Sequence, residues 1–579
     1  MKKAAFLLIA IPLSLSPSVA QVPAPFRTLN DTFDSPKFTD AAEWKRRAAY
    51  LREHILATAG LMPLPERGPL APRVFGEVKR PEYTISKVYF ESLPGFFVTG
   101  NLYRPLGDGP FAAILAPHGH WPYGRLENTA LNSVPGRAIS LARQGFVVFT
   151  HDMIGYGDSR QLPHTFGGKR ENLWGLSLGG LQLWNAIRAL DFLESLPYVR
   201  RDAIGVTGES GGGTQTFLLS AVDDRVAVAA PVNMISLHMQ GGCLCENIPA
   251  LRLNTTNVEI AATIAPRPLL MISATGDWTK NTLEREYPAV REIYSLLGAA
   301  DRVHAVRFEA EHNYNRQSRE AMYAWMARWL QGAPADVRRP ERSFTVEPPA
   351  ELLVFYGRPL PTTAVTPAEL TYNWIEAARR QLEQSTTEDL TRALHHALGY
   401  DMASTPPPAT TGNTHVVFVA GAGTAVEQGL RRSGFDVRRL PDQPFDSAAA
   451  AKVRHFETYN RTPAARRVAV LVEALRAAPG AALVAGGDVA LAAMLAAATA
   501  PPRVLIADVG GFDTSSDDEF AARLYIPGIR RAGDLQTAAA AYKGKLVVHN
   551  AGGRFTVRGV KPLPNKLTTE QIVAELENR

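Results

Sequence analysis

The pattern that most constrains this chain is a repeated alternation between residues 112 and 330. Short apolar runs such as "AAILAPHGH", "GFVVFTHD", "AIGVTGES", "VAVAAPV", "PLLMISATGD" and "VHAVRFEAEH" are separated by longer amphipathic stretches. In one of these, residues 181–196, Leu183, Ile187, Leu190 and Leu193 share a helical face. Strands without internal polar alternation are buried on both faces, so the alternation predicts a mostly parallel sheet covered by helices on both sides. Sites in such folds lie beyond the carboxyl ends of the strands, where the chain's polar motifs fall. Ahead of this region "YTISKVYFES" and "FFVTGNLYRP" read as antiparallel strands, and "FTDAAEWKRRAAYLREHILATAGL" carries helical spacing with Gly60 as its stop.

A chain of 579 residues exceeds what one hydrophobic core supports. A second α/β section is expected over residues 413–579, with strands "THVVFVAGAG", "ALVAGGDVAL", "RVLIADVGG" and "KLVVHNAGG". The full division is a signal peptide at 1–20, an N-terminal helical extension at 21–80, and a catalytic α/β domain at 81–332. A linker region at 333–412 holds a strand-like "ELLVFYG" and a helix over 367–384, and the 413–579 section follows. The first twenty residues carry two lysines, an apolar run and small residues at 18 and 20, the layout of a cleaved export signal. That run is too short to span a bilayer, so the expectation is a periplasmic or extracellular protein without a stable membrane anchor. The net charge of +6 is spread over 62 basic and 56 acidic residues with no basic block, which argues against a nucleic-acid partner.

Gly208-Glu209-Ser210-Gly211-Gly212 fits G-x-S-x-G between a strand and a helix. Such a turn strains the serine backbone and presents its hydroxyl at the top of the sheet, with the next N–H aimed at a developing oxyanion. A serine nucleophile needs a base, and the base an orienting acid. Asp277 and His312 each follow a later strand, so the order Ser210, Asp277, His312 supplies all three, with Glu309, Glu311 and Asp301 as competing acids. Each also has a plain structural reading: Asp277 as a turn residue, His312 as a loop histidine. In "APHGHWPYGR" the N–H of His120 is the expected second oxyanion donor beside that of Gly211. Trp121, Trp174 and Trp278 lie near these motifs and are candidates to stack on a sugar ring, though packing explains them equally well.

No cofactor and no metal are expected. His118 and His120 invite a metal reading, but no further ligand lies at useful spacing along the chain. The two cysteines, Cys243 and Cys245, fall short of the four ligands of a structural zinc site. Separated by one residue, they would form a strained bridge, so thiols packed in a loop are the expectation.

Taken together, "PGFFVTGNLYRP", "PHGHW", "HDMIGYGDS", "GESGGG", "APRPLLMISATGDW" and "EHNYN" resemble the α/β-hydrolase superfamily, and within it exported acetyl xylan esterases and dienelactone hydrolase-like proteins. The resemblance implies an α/β-hydrolase fold and a serine carboxylesterase acting through an acyl-enzyme on an ester substrate, carbohydrate-linked in the xylan manner. The chain departs from two narrower groups: cephalosporin-deacetylase-like enzymes carry Gln after the serine, glucuronoyl esterases carry Arg, and this chain carries Gly211. Without that arginine, a uronate carboxylate would need another cation, such as Arg125 or Lys280. In the second section "VAGGDVA" places Asp488 where Ser210 stands and His549 as the nearby histidine, an incomplete copy expected to be non-catalytic. Two alternatives remain: a prolyl-oligopeptidase-like peptidase, for which the N-terminal segment is too short to hold a propeller, and a non-catalytic carbohydrate-binding scaffold. The "FETYNRTP" stretch of the second section is a candidate contact to the first.

Overall fold

A computed structural model describes residues 26–401, 415–442 and 444–578. The expected export signal and the linker "STPPPATTGN" lie outside them.

The first unit is a nine-stranded sheet: β1 (Arg73–Lys79), β2 (Tyr83–Leu93), β3 (Phe96–Pro105), β4 (Phe111–Leu115), β5 (Phe146–His151), β6 (Val199–Glu209), β7 (Val226–Val232), β8 (Leu269–Ala274) and β9 (Val303–Phe308). Their order is β1-β2-β3-β5-β4-β6-β7-β8-β9. β1 to β3 and the β3–β5 pair are antiparallel, and from β5 to β9 every pair is parallel. The even-odd alternation of strand side chains divides the apolar residues between two cores. Ala113, Leu115, Val147, Phe149, Ile204 and Val206 enter one core, whereas Ala112, Ile114, Phe146, Val148, Val228 and Ala230 enter the other. This is the α/β-hydrolase arrangement. β1 falls inside the segment expected to be purely helical, because its largely exposed side chains leave no apolar signature.

A second sheet holds β10 (Val416–Ala420), β11 (Asp436–Arg439), β12 (Ala482–Gly486), β13 (Val504–Asp508) and β14 (Lys545–His549), all parallel, in the order β11-β10-β12-β13-β14. It reproduces the order β5-β4-β6-β7-β8 of the first sheet, so the second unit is α/β-hydrolase-like. The equivalence corrects one expectation. The residue with positive φ between β12 and the helix Asp488–Ala497 is Gly487, at φ 62° and ψ −140°. Ser210 holds φ 55° and ψ −119° at the same place in the first unit. Gly487, not Asp488, therefore occupies the serine position. Asp488 is the first residue of the helix and pairs with Arg523 at 2.8 Å. The buried His549 accepts the Leu567 N–H.

Between the units, the stretch "ELLVFYG" begins in the end of a short helix, Pro349–Leu352, and continues as turns rather than a strand. The helix Pro367–Gln384 occupies the expected residues, with a Thr366/Glu369 capping box at its start. A further helix, Thr387–Leu398, packs on both Ala41–Thr58 and Asp534–Ala541. One apolar core runs without a break from Leu115 and Val206 of the first sheet to Leu483 and Leu505 of the second. Among the described residues no helix is long and apolar enough to cross a membrane.

Candidate active site

β6 ends at Glu209, and the helix Gly211–Val222 starts one residue later. Ser210 absorbs the whole reversal, which explains its φ of 55°, a region that side chains with a Cβ rarely adopt. Strain of this kind persists only where the surroundings enforce it. Here they do. A Cβ placed on Gly119 would lie 2.9 Å from the Glu209 carbonyl oxygen and 3.2 Å from the Ser210 Cβ, so the "PHGH" loop runs directly against the elbow.

Glu209 holds that loop in place, a role that sequence reasoning did not assign. Its carboxylate is buried, and four donors converge on it. Oε1 accepts the Gly119 N–H at 3.0 Å, the Trp121 indole N–H at 2.9 Å and the Asn132 amide at 2.9 Å. Oε2 accepts Arg137 at 2.7 Å in an ion pair fully shielded from solvent. Because Gly119 donates to Glu209, the next backbone N–H on the loop, that of His120, remains as the loop's candidate oxyanion donor. The Gly211 N–H belongs to the first turn of its helix, where backbone donors have no partner within the helix. The only sequence signal for Glu209 was an acidic residue between Gly208 and Ser210, at the end of a strand that otherwise reads as buried.

Asp277 and His312 meet as expected. His312 Nδ1 lies 2.8 Å from Asp277 Oδ2. The other oxygen, Oδ1, accepts the Thr279 N–H at 2.7 Å and the Thr279 hydroxyl at 2.5 Å. One Asp277 oxygen thus serves the turn and the other meets the histidine. The bond fixes the imidazole proton on Nδ1 and leaves Nε2 as the free basic nitrogen. Glu309, Glu311 and Asp301 are exposed.

The tryptophans divide. Trp278 packs against the His312 ring at 4.5 Å and Trp121 stacks on it at 6.4 Å. Since Trp121 is also bonded to Glu209, it bridges the elbow and the histidine loop. Trp174 does not serve the site. It is buried where the two units meet, donates to Asp517 at 3.0 Å and lies under Arg530 at 4.9 Å. Arg125 is likewise withdrawn. Its guanidinium is buried, 2.6 Å from Asp158 and 3.4 Å from Asp152, and cannot meet a substrate carboxylate. Burial pushes Asp152 up to about 6, against the pull of Arg125. Lys280 is exposed, and its backbone N–H donates to the Asp277 carbonyl at 3.3 Å.

The site also corrects the reading of metal ligands. Spacing along the chain hid a cluster that the fold assembles: His120, His164, Cys243 and Cys245 have ligand atoms all within 4.8 Å of one another. The His120 ring lies against the elbow, so a Cβ on Gly211 would fall 2.5 Å from its Cε1. This accounts for glycine after the nucleophilic position, where Gln or Arg was the alternative.

No family model matches the chain. The solved Methylesterase BT1017 is 30% identical, covering 60% of this chain and 78% of its own, with a TM-score of 0.51. YtaP of Bacillus subtilis (strain 168), a hydrolase by name, is 26% identical over 291 residues, 46% of this chain and 95% of YtaP. The chain belongs to the esterases of the α/β-hydrolase superfamily. As an esterase it keeps the strand–elbow–helix plan twice, with a hydroxyl only in the first unit.

Contacts from the second unit complete the esterase domain. The "FETYNRTP" stretch packs on it as expected: the Ala250 N–H donates to Glu457 O at 2.8 Å and the Arg252 N–H to Thr458 O at 3.0 Å. Tyr459 Oη donates to Asn247 Oδ1 at 2.8 Å, steadying the loop that carries the cysteines.

Proposed function

We propose that the protein is an exported serine esterase that cleaves ester groups from carbohydrate, with Ser210 as nucleophile, His312 as base and Asp277 as the acid that orients it. The observation that carries the reading is the pairing of a strained serine at the elbow with the 2.8 Å Asp277–His312 bond. His312 Nε2 takes the hydroxyl proton as Ser210 Oγ attacks the ester carbon. The Gly211 and His120 N–H groups stabilise the oxyanion, and His312 returns the proton to the departing alcohol. Water then hydrolyses the acyl-enzyme through the same base. Trp121 and Trp278 wall the histidine side and offer faces for a sugar ring.

Two ester orientations fit this chemistry. In an acetylated sugar the acyl group is small and the sugar leaves as the alcohol. In a methyl-esterified sugar acid the sugar carries the acyl group and methanol leaves. The 30% identity to a methylesterase favours the second, and the exposed Lys280 is then the cation near the acid–base pair. Release of methanol from methyl glucuronate esters and of acetate from acetylated xylan, measured side by side, separates the two. A fluorophosphonate probe should label the native protein and not Ser210→Ala. Labelling of both, or of neither, would refute the assignment of Ser210. Appearance of processed protein outside the cytoplasm tests export.

A further inference from the structure

We propose that His120, His164, Cys243 and Cys245 form a closed Cys2His2 binding site for a divalent metal of zinc type, which pins the oxyanion loop to the loop of residues 238–254. Four side chains, two of them soft sulfur donors and two imidazoles, are the donor set that zinc takes in closed tetrahedral sites. Bonds of about 2.0–2.3 Å would set such ligands roughly 3.3–3.8 Å apart. His120 Nε2 already lies 3.1 Å from Cys245 Sγ, and no ligand pair exceeds 4.8 Å. The most separated pair therefore closes by about 1 Å around an ion.

The outer contacts point the same way. His164 Nδ1 donates to the Ile154 carbonyl at 2.6 Å, which fixes its proton there and turns the lone pair of Nε2 toward the cluster. That Nε2 is buried and has no hydrogen-bond partner. A buried imidazole nitrogen left unpartnered is costly unless something binds it. The cysteine loop is preset as well. Glu246 Oε2 accepts the N–H groups of Gly242 at 2.7 Å and Cys243 at 2.9 Å, and Asn247 donates to the Gly241 and Cys243 carbonyls. Tyr156 packs its ring against both histidines.

The ligands come from three loops that are far apart in sequence: "PHGHW", the turn after β5, and residues 238–254. A single ion would lock them to one another. His120 belongs to two structures at once, its ring to the metal and its backbone N–H to the oxyanion. With all four positions filled by protein, the metal has no open site for an ester, so it acts by positioning. The metal site rests on the ligand geometry alone; only its effect on turnover rests on the esterase reading.

The test uses full-length protein without a polyhistidine tag, purified with a thiol reductant and loaded with zinc. Elemental analysis should find about one zinc per chain, and Cys245→Ala and His164→Ala should each lower this at least about tenfold. Substitution by cobalt(II) should produce thiolate charge-transfer bands and the intense visible bands of a tetrahedral ion. Circular dichroism of the variants, with chelation and reloading of the native chain, keeps the result independent of whether a variant folds. Zinc content below about 0.1 per chain in folded native protein would overturn the proposal. So would a Cys243–Cys245 disulfide, two hydrogens lighter by mass, in fully active protein isolated without reductant. If zinc binds and kcat survives its removal, the positioning role is refuted while the site stands. If zinc binds and the native protein fails to react with the fluorophosphonate, the esterase assignment fails independently.

Discussion

Replacing Glu209 by Gln separates the hydrogen-bonding and charge roles of the residue beneath the elbow. The carboxylate gathers three N–H donors on Oε1 and the Arg137 guanidinium on Oε2. A glutamine has one oxygen and one amide nitrogen. If its oxygen stays with the three N–H groups, its NH2 meets Arg137, donor against donor, and a buried guanidinium loses its counter-charge. If it flips, three buried donors lose their acceptor, each at about 1–3 kcal/mol. The first orientation is cheaper. Breaking one side of a buried ion pair costs about 3–5 kcal/mol, so the unfolding midpoint should fall steeply. Because Gly119 and Trp121 keep their acceptor in that orientation, kcat should fall less than stability does. The assay is urea unfolding followed by tryptophan fluorescence, together with 4-nitrophenyl acetate turnover of the folded variant. The decisive control is Arg137→Met combined with Glu209→Gln. Removing the unpaired charge should make the double variant more stable than Glu209→Gln alone. A double variant whose losses simply add would show that the pair is not coupled and refute the reasoning.

Three further outcomes are expected. Asp277→Asn should leave the fold intact and lower kcat by about 10³–10⁴, because the imidazole proton is no longer held on Nδ1; steady-state kinetics with a thermal melt checks both. Gly211→Gln should displace the His120 ring, whose Cε1 stands 2.5 Å from the new Cβ. Turnover and bound zinc should then fall together, and an active variant with full zinc would contradict the packing account. Acidification should destabilise the protein. Burial holds His54 and His118 at about 3 and His151 and His395 at about 4, below the unfolded 6.5. The unfolded chain therefore binds protons that the folded chain refuses, and this stability is complete above pH 6.5 and lost as pH falls toward 4. Asp152, pushed up to about 6 by burial, opposes, its contribution fading as pH rises from 3.8 through 6, and burial raises Glu286, Glu457 and Asp534 in the same sense. The four histidines refuse protons across the whole interval from 6.5 down to 5, so the melting temperature, measured calorimetrically, should be lower at pH 5 than at pH 7.

Much of the site was legible because its parts are local. The elbow follows from glycines two residues before and after Ser210, and Asp277 and His312 lie just past strands whose apolar runs are unmistakable. Trp174 and Arg125 were misplaced for the opposite reason. Nearness in sequence to a motif says nothing about which neighbour a long side chain meets, and both turned into buried pairs, with Asp517 and with Asp158 and Asp152. The strand equivalence in the second unit also needed backbone angles. Only φ distinguishes Gly487 from Asp488 as the residue that turns the chain.

The sequence by itself determined the α/β architecture, the order of serine, aspartate and histidine, and the existence of a second, hydroxyl-free copy. Each of these is written in periodicity or in residues a few positions apart. Only the tertiary structure decided that Glu209 ties the loop to the elbow, that the second unit shares the first unit's core, and that His120 and His164 complete the two cysteines. Those facts depend on contacts between segments tens to hundreds of residues apart. Such contacts are set by how buried strands and helices stack, and no local pattern encodes that.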